Sequence, residues 1–261
     1  MKKSILFSVF AFCATVLQAQ TIATGTISQD CAKNGKTVDL RASSSTSDNN
    51  GHEYVDLGLS VKWATCNVGT TTPEGYGDYF AWGETSTKET YSWSTYFDYD
   101  EDTKSFPKYN NEGGKTVLDP EDDAAHVNWG GSWRMPTEAE WQELLDNCTW
   151  EWTAQNGVNG YKVTSNKEGY THKFIFLPAA GDRNGSILHS EGLQGQYWSS
   201  SLVEDSFSVA VGDDTKGLRA AYYLILGRTN HALGSGRVVE ENGTYYIQNR
   251  FEGYSVRSVL P

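Results

Sequence analysis

The C-terminal part of the sequence concentrates side chains that suit non-covalent recognition. Between residues 222 and 251, tyrosine, arginine, asparagine and histidine follow one another closely. Tyrosine offers a rigid apolar ring with a hydroxyl group, and asparagine and arginine form adaptable hydrogen bonds, a mixture that antibody binding loops also use. Aromatic rings also stack on sugar rings. We therefore predict a surface that binds a glycan or a protein, formed by Tyr222, Tyr223, Arg228, Asn230, His231, Arg237, Tyr245, Tyr246, Asn249 and Arg250.

Strand alternation limits how many of these tyrosines face outward. Tyr222 and Tyr223 are adjacent, as are Tyr245 and Tyr246. Since successive side chains of a strand point to opposite faces, we expect at most one member of each pair to be exposed. Four tryptophans are predicted to lie in the core: Trp63, Trp133, Trp141 and Trp198.

Residue patterns typical of catalysis are missing from the sequence. It has no G-x-S-x-G motif, no P-loop and no G-x-G-x-x-G motif after a predicted strand. Most carboxylates lie in predicted loops or at helix N-termini, where solvation and capping explain them. We expect no catalytic residue and no enzymatic activity, with a carboxylate-dependent hydrolase as the alternative. The histidines are scattered singly, without metal-ligand spacing: His52, His126, His172, His189 and His231.

The first nineteen residues have the pattern of an export signal. Lys2 and Lys3 precede an apolar stretch from Ile5 to Leu17, and Ala19 ends a sequence that resembles a cleavage site. The apolar stretch is shorter than the roughly 20 residues that span a bilayer, and no later stretch is longer. We predict a signal peptide at 1–19 and a secreted or surface-exposed protein without a membrane span.

Export would place the later cysteines, Cys31, Cys66 and Cys148, in an oxidising compartment. Cys66 and Cys148 both lie in patterned segments that look like core. A disulfide between them is one alternative. The other, which we favour, is two buried thiols that act as small hydrophobic groups.

Charge and composition divide the chain and exclude some partners. The 261 residues carry a formal net charge of −12. This acidic balance argues against nucleic acid and against an anionic membrane surface, both of which attract basic proteins. Residues 20–50 are rich in serine, threonine, asparagine and aspartate, which predicts a flexible spacer. Residues 51–261 are predicted to form one domain.

Short strands that are separated by glycine, asparagine and aspartate, together with two helices, predict an α+β domain. The first helix is expected to begin at Asp119-Pro120 and to end near Trp129, before two glycines. The second begins at a capping box formed by Thr137 and Glu140. Its buried face is predicted to contain Trp141, Leu144, Leu145 and Cys148. Strands are expected at 61–66, 174–177, 207–211, 220–226, 244–248 and 254–257, and ordered aromatic loops at 73–114.

Six segments between about Glu53 and Val259 form an unusual combination. They are Tyr54–Gly69, Gly77–Glu84, the helix-entry segment Trp133–Trp141, Phe176–Gly181, Tyr197–Ser201 and Gly253–Arg257. These segments resemble the Fibrobacter succinogenes major paralogous domain family, which has a C-type-lectin-like fold of the formylglycine-generating-enzyme type.

This resemblance implies a secreted, lectin-like domain of surface and adhesin-like proteins. It also suggests two alternatives for the partner: an accessory or tip subunit of a surface adhesin assembly that binds protein, or a diversified ligand-binding protein. Formylglycine-generating enzymes use a cysteine pair near the C-terminal end of the fold, and this chain has no cysteine after Cys148. The resemblance therefore implies binding rather than catalysis.

One acidic run raises the question of calcium. Asp98-Tyr99-Asp100-Glu101-Asp102 is rich in the oxygen ligands that calcium prefers. The run lacks the glycine and the final glutamate of an EF-hand loop, and the sugar-binding triplets of calcium-dependent C-type lectins are absent. We expect a solvated acidic loop and no cofactor, with calcium as an alternative.

Overall fold

The computed structural model describes residues 50–110, 115–203, 220–235, 239–241, 244–246 and 249–261. The description of 239–241 and 244–246 is limited to the backbone. The helices are α1 (Ala124–Trp129) and α2 (Glu138–Asn147), and two 3-10 turns lie at Trp93–Thr95 and Pro120–Asp122. The strands are β1 (Tyr54–Val55), β2 (Lys62–Asn67), β3 (Cys148–Gln155), β4 (Val158–Ser165), β5 (Phe174–Pro178), β6 (Asp182–Asn184), β7 (Ile187–His189), β8 (Gln194–Leu202), β9 (Ala221–Gly227), β10 (Asn230–Gly234), β11 (Val239–Glu241), β12 (Thr244–Tyr246) and β13 (Arg257–Leu260).

These strands form small antiparallel sheets. Three sheets have three strands each, in the orders β1-β2-β13, β10-β9-β8 and β3-β4-β5. Two further pairs, β6-β7 and β11-β12, are hairpins. Together with the two helices, this arrangement confirms the α+β class.

The predicted capping box of α2 is present. Thr137 Oγ1 accepts a hydrogen bond from the Glu140 amide, and the Glu140 carboxylate accepts one from the Thr137 amide at 2.8 Å. Trp141 and Leu144 are fully buried beneath the helix. The helix ends at Asn147, so Cys148 begins β3 rather than extending the helical face.

The first predicted helix is divided in two. Pro120–Asp122 forms a 3-10 turn, and α1 starts after Asp123, whose extended backbone interrupts the helical path. The Asp123 carboxylate accepts from the amides of Ala125 and His126, and it is therefore the N-cap in place of Asp119. Gly130 ends α1 with a positive φ of 71°, as the glycine pair predicted.

Two main clusters of buried side chains lie on either side of the sheet β10-β9-β8. Alternation along β9 sends Tyr223 into one cluster, with Trp82, Trp133 and Trp198. Leu224 and Leu226 enter the other cluster, which also contains Trp63 and Trp141. The four tryptophans predicted in the core are all buried.

Most predicted strands that fall on described residues are present, with shifted ends. The segments predicted at 61–66, 174–177 and 220–226 correspond to β2, β5 and β9. The strand expected at 254–257 is displaced, because β13 begins only at Arg257, while Tyr254 forms a single bridge with Phe80. The strand expected at 207–211 and the last two residues of 244–248 lie outside the described residues. Of the loops expected at 73–114, residues 111–114 lie outside the described residues, and in 73–110 the side chains of Tyr79, Trp82, Tyr91 and Tyr109 are buried.

Cys66 and Cys148 are both free and buried. They belong to different clusters, Cys66 with Trp82 and Cys148 with Trp141. The interpretation of two buried thiols therefore holds, and the disulfide alternative is wrong. Among the described helices, none is long and apolar enough to cross a membrane.

Candidate ligand-binding surface

The β9–β10 hairpin presents the part of the predicted binding surface that is open to solvent. Leu226 pairs with His231 and Gly227 pairs with Asn230, so a two-residue turn, Arg228-Thr229, joins the strands. Both turn residues and Asn230 are exposed. Because β8 pairs with β9, the tip is held by a three-stranded sheet.

Four aromatic rings converge beside this hairpin, and we call them the aromatic platform: Trp150, Trp152, Tyr161 and His231. The imidazole of His231 stacks on Trp150, with ring centroids 4.6 Å apart and an angle of 13° between the planes. Tyr161 contacts His231, Trp150 and Trp152 edge-on, at 5.0, 5.7 and 5.2 Å. Both tryptophans and His231 are half-buried, so part of each ring faces solvent.

Strand register explains why these rings meet. Trp150 and Trp152 are two residues apart on β3 and therefore point to the same face. Trp152 lies opposite Tyr161 on β4. The Tyr161 hydroxyl donates to the carbonyl of Gly227 at 2.9 Å, which ties the sheet β3-β4-β5 to the hairpin turn. As a result, two outer strands, β3 and β10, present their aromatic side chains together.

The platform contains polar atoms that are not satisfied. His231 Nδ1 and Trp150 Nε1 are buried, and neither has a hydrogen-bond partner within the described part of the chain. Burial lowers the pKa of His231 below its usual value. The ring is therefore neutral at pH 7, and it contributes an aromatic surface rather than a charge. Arg228, in the adjacent turn, supplies the positive charge at this end of the hairpin.

The remaining exposed hairpin side chains lie on the opposite face. Asn230 and Ala232 alternate with His231, so they point away from the platform. The side-chain oxygen of Asn230 lies 2.5 Å from where a Cβ on Gly227 would be, and glycine leaves room for it there. Of the predicted exposed residues, the structure therefore brings His231 together with the tryptophans, leaves Arg228 in the adjacent turn, and separates Asn230 from them.

Two predicted binding residues require correction, because they are not on the surface. Tyr223 is 6% exposed, and its ring packs against Trp198 and Tyr254. Arg250 is 0% exposed. Tyr222, the neighbour of Tyr223, is half-buried, in agreement with the expectation that at most one of the pair faces outward.

The buried Arg250 has a structural role. Its Nη1 donates to the carbonyl of Tyr109 at 3.1 Å and lies 3.5 Å from a carboxylate oxygen of Asp98. Its guanidinium sits 3.9 Å from the centre of the Phe106 ring. Asp98 also accepts from the amides of Lys108 and Tyr109, at 2.8 and 3.1 Å. The expectation that Asp98 lies in a solvated loop is therefore wrong, since it anchors the loop to the C-terminal segment.

For the other predicted site residues, the structure describes the side chain of Asn249, only the backbones of Tyr245 and Tyr246, and nothing of Arg237. Asn249 is half-buried, and its side-chain amide donates to Glu252 at 3.4 Å. The backbones of Tyr245 and Tyr246 lie in β12, which pairs with β11. Arg237 lies outside the described residues.

The tryptophans of the platform were not among the predicted site residues. Their signal in the sequence is Trp150-Glu151-Trp152, an alternation that places two large rings on one face of a strand. This pair lies outside residues 222–251, where the binding residues were predicted. Such a surface can hold an apolar ring face by stacking, while Arg228 and main-chain groups of the turn bind polar substituents.

Within the described ranges, no three histidine, cysteine, aspartate or glutamate side chains are grouped so that they could hold a metal ion. Asp100, in the acidic run considered for calcium, accepts hydrogen bonds from the amides of Asp102 and Thr103 and so closes a turn.

Comparison of the chain with known proteins identifies no relative. No family model, no curated protein and no solved structure matches it.

Proposed function

We propose that the protein is a secreted or surface-exposed binding module that recognises a glycan through the aromatic platform and the Arg228-Thr229 turn. The observation that carries this proposal is the convergence of Trp150, Trp152 and His231 beside the β9–β10 hairpin. Partly exposed indole rings bury the C–H face of a sugar, and adjacent polar groups bind its hydroxyls. The proposed fold is C-type-lectin-like, by the resemblance of the sequence segments noted above, and no catalytic step is proposed.

Glycan binding is favoured over protein binding by the size and shape of the patch. The platform offers a few half-buried rings around one turn, which matches one or two sugar units better than the roughly 800 Å² that each partner buries in a standard protein–protein interface. A protein ligand, as for a tip or accessory subunit of an adhesin assembly, is the second candidate. Its support is the mixture of tyrosine, arginine and asparagine in the C-terminal strands.

A glycan array tests the proposal. The purified chain is applied with calcium and, in parallel, with a chelator, beside Trp152→Ala. The matched control is Phe174→Ala, because Phe174 is an exposed ring on the opposite face of the same sheet. We expect Trp152→Ala to weaken binding about tenfold or more, since stacking aromatic residues dominate such contacts, and Phe174→Ala to leave it unchanged.

The other outcomes distinguish the alternatives. Equal binding by folded Trp152→Ala and wild type would remove the platform from the site. A blank array with folded wild-type protein would overturn glycan recognition and favour a protein ligand. Loss of binding in chelator would add a metal to the site.

A further inference from the structure

A second cluster of polar side chains lies on the other face of the sheet β10-β9-β8, away from the platform. Glu252 is 6% exposed, and its Oε2 accepts from the hydroxyl of Tyr254 at 2.6 Å. Its Oε1 accepts longer bonds, of 3.4 Å, from the side chains of Asn184 and Asn249. Asn184 and Asp182 are alternate residues of β6 and therefore share a face.

A second carboxyl group lies on the adjacent strand, because Arg183 of β6 pairs with Gly253 and so places Asp182 beside the Glu252–Tyr254 segment. Burial raises the pKa of Glu252 to about 7, and the negative charge of Asp182 contributes to the rise. Burial also raises the pKa of Asp182, while the nearby His189 lowers it. Two acids that each resist ionisation are stabilised as anions by an added cation.

An unpaired acceptor lies on the same face. Gln196 is 4% exposed, and its Oε1 has no hydrogen-bond partner among the residues described. Gln196 and Trp198 are alternate residues of β8, and Trp198 stacks on Tyr254 at 4.1 Å. Gln196 thus points to the side of the sheet where Tyr254 holds Glu252. A buried carbonyl oxygen without a donor is unfavourable, which indicates a missing partner.

The chemistry of the missing partner follows from these groups. Gln196 Oε1 and the two carboxylates accept hydrogen bonds, and the carboxylates repel anions. A primary ammonium group has three donors and no acceptor, so it matches three acceptors. Trp198, Tyr223 and Tyr254 pack together beside the acids, and aromatic rings attract cations.

We propose that this cluster binds a primary ammonium group, held by the carboxylates of Glu252 and Asp182 and by Gln196 Oε1. The rim is formed by half-buried Asp182 and exposed Asn184, and the ammonium group enters there. Because it shares no residue with the platform, this proposal does not depend on the proposed glycan binding.

The test measures the binding of n-butylammonium chloride to the full chain by isothermal titration calorimetry. The uncharged control ligand is n-butanol, and potassium chloride controls for ionic strength. The variants are Glu252→Gln and Asp182→Asn, with Glu89→Gln as the control because Glu89 is exposed in a loop. We expect saturable binding by wild type and by Glu89→Gln, a loss of about tenfold or more in the other two variants, and none with either control solute.

Protonation gives a second readout. Only the ionised form of Glu252 attracts the ammonium group, so wild-type affinity is expected to fall about tenfold between pH 8 and pH 6, for a group that titrates near 7. Glu252→Gln should lose this pH dependence. Near-ultraviolet circular dichroism checks folding, and Asp182→Asn changes a rim residue if Glu252→Gln does not fold. Absence of saturable binding by wild type at pH 8, or undiminished binding by either folded variant, would overturn the proposal.

Discussion

Arg257 and Asn67 are 190 residues apart in the sequence, and they share a hydrogen bond of 2.9 Å from the arginine Nε to the asparagine Oδ1. The remaining nitrogens of Arg257 donate to the carbonyls of Ala64 and Phe176, at 3.0 and 2.9 Å. The side chain is fully buried, and burial lowers its pKa. Oxygen dipoles of β2 and β5 therefore solvate this cation, and it links them to β13.

Arg257→Met is expected to destabilise the fold strongly. The substitution leaves three buried oxygens without their donors, and each unsatisfied group costs about 1–3 kcal/mol. We expect a loss of about 3 kcal/mol or more in the free energy of unfolding, measured with urea. Arg134→Met is the control, because Arg134 pairs with Glu140 at a partly exposed site and should cost about 1 kcal/mol. Equal losses in the two variants would contradict the role assigned to Arg257.

Stability should fall with rising pH because of Glu252. Its pKa is raised from an ordinary 4.5 to about 7 by burial, so the folded state binds the proton more tightly than the unfolded chain does. The favourable contribution is complete below about pH 4.5 and is lost as the pH rises through 7. At 1.36 kcal/mol per pKa unit, the change is about 3 kcal/mol.

Comparing wild type with Glu252→Gln isolates this effect. Urea unfolding at several values between pH 4.5 and pH 8 should show the variant gaining about 3 kcal/mol relative to wild type across that range. A difference that stays constant with pH would show that Glu252 titrates normally in the folded protein. Asp182, whose pKa is also raised by burial, acts in the same direction in both proteins.

Thr137→Ala should destabilise the protein by about 1 kcal/mol, because it removes the acceptor for the Glu140 amide at the start of α2. The measurement is the shift of the urea midpoint. Thr171→Ala, at an exposed turn, is the control and should leave the midpoint unchanged. A neutral result at Thr137 would mean that burial of Trp141 alone fixes where the helix begins.

The thiols of Cys66 and Cys148 should be unreactive in the folded protein. Burial raises the pKa of both, that of Cys148 to about 11, so little of the reactive thiolate exists at pH 8. We expect iodoacetamide to modify neither residue in the native state and both in guanidinium chloride, as read by peptide mass spectrometry. Rapid native labelling of Cys148 would show that its cluster opens.

Local signals in the sequence predicted local structure well. The capping box of Thr137 and Glu140 needs only residues three apart, and Trp63 and Trp141 lie in segments whose strand alternation and helical spacing predict a buried face. Arg250 was misplaced because its surroundings, Asp98 and Phe106, lie far away along the chain. No local pattern distinguishes an arginine that a distant carboxylate will bury from one on a binding surface.

Only part of the binding surface was predictable, because its residues come from segments that are far apart in the sequence. Arg228 and His231 follow the strand predicted at 220–226, but the strand β10 that pairs with it was not predicted. Trp150 and Trp152 come from a strand about 80 positions earlier, and only the pairing of β3 with β4 and the Tyr161–Gly227 hydrogen bond bring them to the turn. The surroundings of the buried Glu252 carboxyl are also partly distant in sequence, since Asn184 of β6 donates to it.

The pairing of β2 with β13 also affects how the chain can fold while it is being made. A ribosome adds about 5–20 residues each second. The strand β13, which follows β2 about 190 residues later, is therefore synthesised on the order of 10–40 s after β2. During that interval one edge of β2, including Trp63, lacks its final neighbour. An unpaired strand edge in a nascent chain is open to wrong partners. Chaperones that bind unfolded chains should therefore be most important for this protein before β13, residues 257–260, is available to pair with β2.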